Sequence, residues 1–129
     1  MRDTENNTEE PGTHINPEEF EAVQRDAADS KDTYTHKFKK PFIYDGQEYT
    51  ELRFDWDGLS GADALAIERE VEKITGVVVI AEEFSSEYLI RMAAKCCTQE
   101  IGPDAFELMR QKDYKRIKSR AKSFLLASE

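Results

Sequence analysis

The dipeptide Asp45-Gly46 constrains the fold more than any other feature of this chain. It separates two runs in which apolar and charged residues alternate, within HKFKKPFIYDGQEYTELRFDW at positions 36–56. Asp-Gly between alternating runs is a strong β-hairpin signal. A platform for nucleic-acid bases would instead need its aromatic rings exposed. The alternation therefore favours a hairpin with one buried, aromatic face and one wet face that carries the lysines.

The loop length decides which side chains share a face of the hairpin. A two-residue loop would place Phe38 and Phe42 opposite the face that holds Leu52 and Phe54. A three-residue loop, residues 44–46 with a bulge at Gly46, separates apolar from charged residues better, and we predict it. It places on one face His36, Phe38, Phe42, Leu52 and Phe54. It places on the other Lys37, Lys39, Glu51 and Arg53, with Lys39 opposite Glu51. Pro41 has no N–H to donate, which predicts an edge strand at that point.

A lone hairpin is marginal in water, so helices must cover it. The first helix is predicted to begin after Ser60, with Asp63 three residues on as a variant capping box, and to end at Gly76. The second is capped by Ser85 or Ser86 and stops at 102–103. PDAFELM supplies one or two turns, and DYKRIKSRAKSFLLA forms the last helix. The apolar run VVVI, residues 77–80, predicts a short third strand or a buried connector.

The predicted fold class is therefore α+β, with an N-terminal β-hairpin, and a third strand as an option, packed under three to four α-helices. One small domain covers residues 34–129. The predicted core consists of Phe38, Phe42, Leu52, Phe54, Leu65, Ile67, Val71, Ile74, Leu89, Met92, Cys96, Ile117, Ala121 and Leu125.

Charge is distributed unevenly along the chain, whose net charge is −9. Residues 1–33 carry ten acidic and three basic residues, which predicts a largely disordered acidic tail with a possible short helix at 17–28. Residues 110–122 carry seven basic residues and one acidic residue. A solvated face, a protein partner and a phosphate backbone all remain open for this basic side, although the net charge disfavours nucleic acid. The candidate partner-binding residues are Lys115, Arg116, Lys118, Arg120, Lys122 and Phe124.

The sequence shows no constellation that predicts catalysis, a cofactor or a metal. His14 and His36 have no cysteine, serine or second histidine at a useful spacing. Asp55 and Asp57 could share a strand face as paired acids, but turn and capping chemistry is the favoured interpretation. Adjacent Cys96 and Cys97 fit neither a disulfide framework nor a metal site, and we interpret them as reduced thiols. No apolar run approaches the ~18 residues that would predict a membrane span.

Three segments resemble the tail assembly chaperones of long-tailed bacteriophages, the family labelled phage tail assembly protein E/41/14. They are YDGQEYTELRF in the hairpin, LSGADALAIERE at the start of the first helix and DYKRIKSRAKSFLLAS at the end. The resemblance covers roughly residues 34–129.

The resemblance implies a non-enzymatic protein that holds the tape-measure protein, engages tail tube subunits and self-associates on its client. It also implies location in the host cytoplasm and absence from the mature virion, with no membrane partner. The rival hypothesis is a small regulatory protein that binds nucleic acid through its basic C-terminal helix.

Overall fold

The computed structural model describes residues 32–127. An antiparallel hairpin of β1 (Thr33–Tyr44) and β2 (Gln47–Asp55) is followed by α1 (Gly61–Thr75), α2 (Ser86–Cys96), α3 (Asp104–Leu108) and α4 (Gln111–Leu126). Two 3₁₀ turns, Trp56–Gly58 and Glu82–Phe84, precede α1 and α2. The predicted α+β architecture is confirmed. The predicted acidic tail, with its helix at 17–28, lies outside the described residues except for its last two positions.

The hairpin turn has two residues, so the predicted three-residue loop is wrong. Tyr44 pairs with Gln47, and Asp45 and Gly46 have φ angles of 52° and 77°. Positive φ at both central positions is the type I′ turn, whose twist matches that of the flanking strands. Aspartate and glycine are among the residues that best tolerate this backbone, which explains why the dipeptide occurs here.

A bulge in β1, rather than a longer loop, places the apolar and the charged side chains on separate faces of the hairpin. The ladder shifts register between Lys37, which lies opposite Glu51, and Phe42, which lies opposite Tyr49. The four residues 38–41 therefore face one residue of β2. The bulge resets the alternation, and Pro41 lies within it, where no ladder N–H is required.

The predicted buried face is confirmed by this different route, because its five residues are all buried: His36, Phe38, Phe42, Leu52 and Phe54. The predicted pairing of Lys39 with Glu51 is wrong, since Lys37 takes that position.

Residues just after α2 cover the outer edge of β2. Cys97 forms an isolated antiparallel bridge with Phe54, and the Thr98 N–H donates to the Arg53 carbonyl at 2.8 Å. The Arg53 N–H in turn donates to Gln99 Oε1 at 3.1 Å. The prediction that α2 continues to residues 102–103 is therefore wrong, because pairing with the sheet edge ends the helix at Cys96.

The predicted helix caps are confirmed. The Asp63 N–H donates to Ser60 Oγ at 3.2 Å, and the Ser60 N–H donates to Asp63 Oδ2 at 2.9 Å. The bonds from Ser60 hold the pKa of Asp63 below its usual value. Gly76 ends α1 in the left-handed conformation, and Ser85 caps α2 by accepting from the Tyr88 N–H. These motifs depend on residues three or four apart, which makes them readable from sequence.

The helices cover the aromatic face of the hairpin and form one core with it. The predicted core residues that are buried are Phe38, Phe42, Leu52, Phe54, Ile67, Val71, Leu89, Met92, Cys96, Ile117 and Ala121. Leu125 is half-buried and packs against them. The core also contains Tyr34, Trp56, Tyr88 and Phe106, which were not predicted.

Two predicted core residues of α1 are exposed instead. Leu65 is 45% exposed and Ile74 is 56% exposed. Leu65 lies about 160° around the helix from buried Ile67, so it faces away from the core. Ile74 lies in the last turn of α1, where the chain leaves the core.

The run VVVI is neither a strand nor buried. Within residues 32–127 the sheet has only two strands, and residues 77–80 form an irregular segment. Val77 is 65% exposed, Val78 67% and Ile80 93%, while Val79 alone packs partly against the core. The β-branched composition predicted a strand, but no neighbouring strand is present to pair with it.

Candidate functional site

The basic residues of α4 lie on two edges of the helix rather than on one face. One edge, Lys115, Lys118 and Lys122, faces the chain that joins α1 to α2, and we call it the connector edge. Lys118 Nζ donates to Ser86 Oγ at 3.1 Å, and Lys122 Nζ lies 4.6 Å from the centre of the Phe84 ring. Lys115 precedes Lys118 by three residues and therefore shares its side of the helix.

The other edge, Lys112, Arg116 and Arg120, faces the hairpin, and we call it the strand edge. The Arg120 guanidinium carbon lies 4.3 Å from the centre of the Tyr34 ring. Arg116 lines a cleft together with His36. The two edges are separated because α4 buries Ile117 and Ala121 between β1 and the second 3₁₀ turn.

Of the predicted partner-binding residues, Lys115 and Arg116 are exposed, whereas Lys118, Arg120 and Lys122 are half-buried by the contacts above. Phe124 is also half-buried and packs against the core. The structure therefore brings Lys115, Lys118 and Lys122 together on one surface and places Arg116 and Arg120 on another.

The segment at positions 74–84, which we call the apolar connector, exposes five large apolar side chains. They are Ile74, Val77, Val78, Ile80 and Phe84, each more than half exposed. The segment is positioned by polar contacts: the Val79 N–H donates to Glu72 Oε2 at 3.2 Å, and the Val77 N–H donates to Thr75 Oγ1 at 3.2 Å. Several large apolar side chains exposed within one short segment are typical of interaction sites.

A pair of glutamates joins the apolar connector to α1. A hydrogen bond with Glu68, together with burial and repulsion from Glu68 and Glu83, raises the pKa of Glu82 to about 7. Burial raises the pKa of the nearby Tyr88 to about 12, and the negative charges of Glu82 and Glu68 add to this effect. Glu82 therefore ionises only near neutral pH, and its ionisation opposes the contact with Glu68 of α1.

His36 joins β1 to α4 through a buried hydrogen-bond chain. The residue is 3% exposed, with Nδ1 2.8 Å from the Tyr34 hydroxyl and Nε2 2.7 Å from Asp113 Oδ1. One neutral tautomer satisfies both contacts: Nε2–H donates to Asp113, and Nδ1 accepts from Tyr34. Burial lowers the pKa of His36, and the Asp113 hydrogen bond opposes that shift. Asp113 is 77 positions away, so no local pattern could have identified this contact.

The two cysteines are free thiols whose pKa values are raised. Cys96 is buried with Sγ 3.8 Å from the Trp56 carbonyl oxygen, and Cys97 is half-buried. Burial raises their pKa values to about 12 and about 11.

Asp55 and Asp57 are exposed on either side of Trp56 at the first 3₁₀ turn. In the part of the chain that the structure describes, no three histidine, cysteine, aspartate or glutamate side chains are grouped so that they could hold a metal ion.

Residues 32–127 contain no helix with both the length and the apolar character that a membrane crossing requires. Comparison with known proteins gives no match to the chain among protein-family models, curated proteins or solved structures.

Proposed function

We propose that this protein is a non-enzymatic tail assembly chaperone of a long-tailed bacteriophage. In this role it binds the tape-measure protein and tail tube subunits in the host cytoplasm and is absent from the mature virion. The support from sequence is the resemblance of three segments spread over residues 34–129.

The structural observation that carries the proposal is the apolar connector lying beside the connector edge. Phe84 belongs to the connector and is in contact with Lys122 of that edge. An apolar strip bordered by lysines is complementary to an amphipathic helix that has acidic residues beside its apolar stripe. A long helical client such as a tape-measure protein presents that kind of surface repeatedly along its length.

The strip is short, so each chaperone–client contact is expected to be modest. Several copies that bind side by side on one long client, with contacts between copies, would still hold it, because each additional contact acts at high effective concentration. Modest individual contacts also allow release when tube subunits polymerise around the client.

Co-expression with any long coiled-coil-rich protein that is encoded next to this chain tests the proposal. The expected result is a soluble complex that contains several copies of the chain per client. In the variant Ile80→Asp, client recovery should fall at least about fivefold, because a charge replaces the most exposed apolar side chain of the strip. Ile43→Asp is the matched control, since Ile43 is 60% exposed but lies on β1.

Two results would contradict the proposal. One is a client that is soluble alone and does not bind the unmodified chain. The other is equal loss of client from Ile80→Asp and Ile43→Asp, which would show that the apolar connector is not the contact surface.

A further inference from the structure

A second surface, distinct from the apolar connector, is a cationic cleft between β1 and the start of α4. The cleft has a volume of about 590 Å³ and is lined by His36, Lys37, Lys39, Arg110, Gln111, Lys112, Asp113 and Arg116. Two of its five cationic side chains come from the strand and three from the helix region. Packing of α4 against the bulged part of β1 therefore creates the cleft.

Among the described residues, the positive charge of the cleft exceeds the negative charge that faces it. Among positions 32–127, none of the five cations forms an ion pair with a carboxylate. The one carboxylate in the lining, Asp113, is bound to His36 at 2.7 Å. Burial holds the pKa of His36 below its ordinary value, so His36 is neutral at pH 7 and does not offset the negative charge of Asp113. Five cations thus face one carboxylate across a small volume, and their mutual repulsion favours a bound polyanion.

We propose that this cleft binds a compact phosphate-bearing anion. The volume lies within the range of ordinary small-molecule sites. Its lining is almost wholly charged, so the ligand must carry several negative charges in a small space. Arg110 and Arg116 supply planar guanidinium forks and the three lysines supply point charges, which are the two kinds of donor that phosphate oxygens accept from.

The His36–Asp113 contact positions this site. It ties β1 to the first turn of α4, the two elements that carry the cations. It also keeps Asp113 turned toward the buried histidine. The cleft uses the strand-edge residues Lys112 and Arg116, whereas the proposed chaperone surface uses the connector edge, so the two proposals can fail independently.

The test is titration of the full-length chain with inorganic pyrophosphate at low ionic strength. Calorimetry measures the affinity, and NMR chemical shifts of residues 36–39 and 110–116 locate the site. The cleft variant combines Lys37→Gln with Lys112→Gln, one residue from each side. The control combines Lys115→Gln with Lys122→Gln on the connector edge, with the same change in charge. All four substitutions are at exposed or half-buried positions, and urea unfolding of both variants verifies that the fold is retained.

Saturable binding at one site is expected, weakened about tenfold or more in the cleft variant and less than about twofold in the control. Absence of saturable binding, or equal weakening in both variants, would overturn the proposal. A short single-stranded DNA serves as the second probe. If DNA binds with a steep salt dependence and both variants lose affinity equally, the ligand is a nucleic-acid backbone spread over α4, and the compact-ligand proposal is overturned.

Discussion

Two isoleucines show that residue type alone does not determine the role of an apolar side chain. Ile67 is fully buried between α1 and the core, whereas Ile80 is 93% exposed in the apolar connector. Ile67 was predicted to be buried from its helical spacing, and Ile80 belongs to an apolar run predicted to form a strand or a buried connector. The difference arises because Ile67 repeats at helical spacing on a face that α2 covers, while Ile80 follows the end of α1 and no element among residues 32–127 covers it.

The same substitution at these two positions should change stability by very different amounts. Ile67→Ala is expected to lower the free energy of unfolding by about 2–5 kcal/mol, because it removes buried methyl groups and leaves a cavity. Ile80→Ala is expected to change it by less than about 0.5 kcal/mol. Urea unfolding followed by fluorescence of Trp56, the single tryptophan, measures both. Equal losses would show that the connector is packed in solution.

Removing Asp113 should destabilise the protein through its effect on His36. Asp113→Ala leaves Nε2–H of a buried imidazole without its acceptor, which is expected to cost about 1–3 kcal/mol of unfolding free energy. Asp104→Ala is the control, because it removes a hydrogen bond of 2.8 Å to Tyr44 at an exposed site, where water replaces the partner. A loss from Asp113→Ala no greater than that from the control would contradict the positioning role of the His36–Asp113 contact.

At the scale of elements, the Glu68–Glu82 pair makes attachment of the apolar connector dependent on pH. The folded protein raises the pKa of Glu82 from 4.5 to about 7. The stabilisation from this protonated contact is therefore complete below about pH 4.5 and is lost as the pH rises through about 7.

Glu82→Gln retains a hydrogen-bonding group but no longer ionises. Between pH 5 and 8 its stability relative to the unmodified protein should rise, by no more than about 1 kcal/mol because the pair is partly solvated. Urea unfolding across this range measures the difference, with Glu100→Gln, an exposed residue in the loop after α2, as the charge-matched control. A difference that stays constant with pH, or one that Glu100→Gln reproduces, would contradict the raised pKa of Glu82.

The elements also differ in how much of their structure was predictable. The capping box at Ser60 and the left-handed Gly76 follow from residues within one helical turn, and both were predicted. The end of α2 was not predictable, because it depends on Thr98 and Gln99 bonding to Arg53 on a distant strand. Local signals therefore indicated where helices begin, while a long-range contact decided where α2 stops.

At the scale of the whole molecule, the packing of the hairpin under the helices controls access to the thiols. Cys96 lies under Trp56, and burial keeps the pKa values of both cysteines about two to three units above 9.0. Because the thiolate is the reactive form, native-state labelling with an aromatic disulfide reagent at pH 8 is expected to be at least about a hundredfold slower than that of a free cysteine. In urea, both thiols should react at the rate of the unfolded chain.

Rapid labelling of one thiol without denaturant would contradict this expectation. Repeating the measurement with Cys97→Ala would show which cysteine is accessible. If this variant no longer labels rapidly, the reactive thiol is that of Cys97, and the Cys97–Phe54 bridge opens in solution.

The sequence by itself determined the features that depend on neighbours in the chain. The position of the hairpin turn, though not its length, the helix caps, the inward stripe of α4 at Ile117 and Ala121, and the α+β class all follow from spacing of a few residues. These features are encoded locally because turns and helical turns close within four residues.

Only the tertiary structure decided the remaining features, because each depends on which elements meet. The bulge at residues 38–41 reconciled a two-residue turn with a single aromatic face. Packing of α4 between β1 and the second 3₁₀ turn divided one basic stretch into two edges and brought Asp113 to His36. Within the described chain, no element covers residues 77–80. This apolar run, whose composition had predicted a strand or a buried connector, is therefore exposed. Burial and charge clustering are properties of the assembled fold, so a pattern confined to one segment does not contain them.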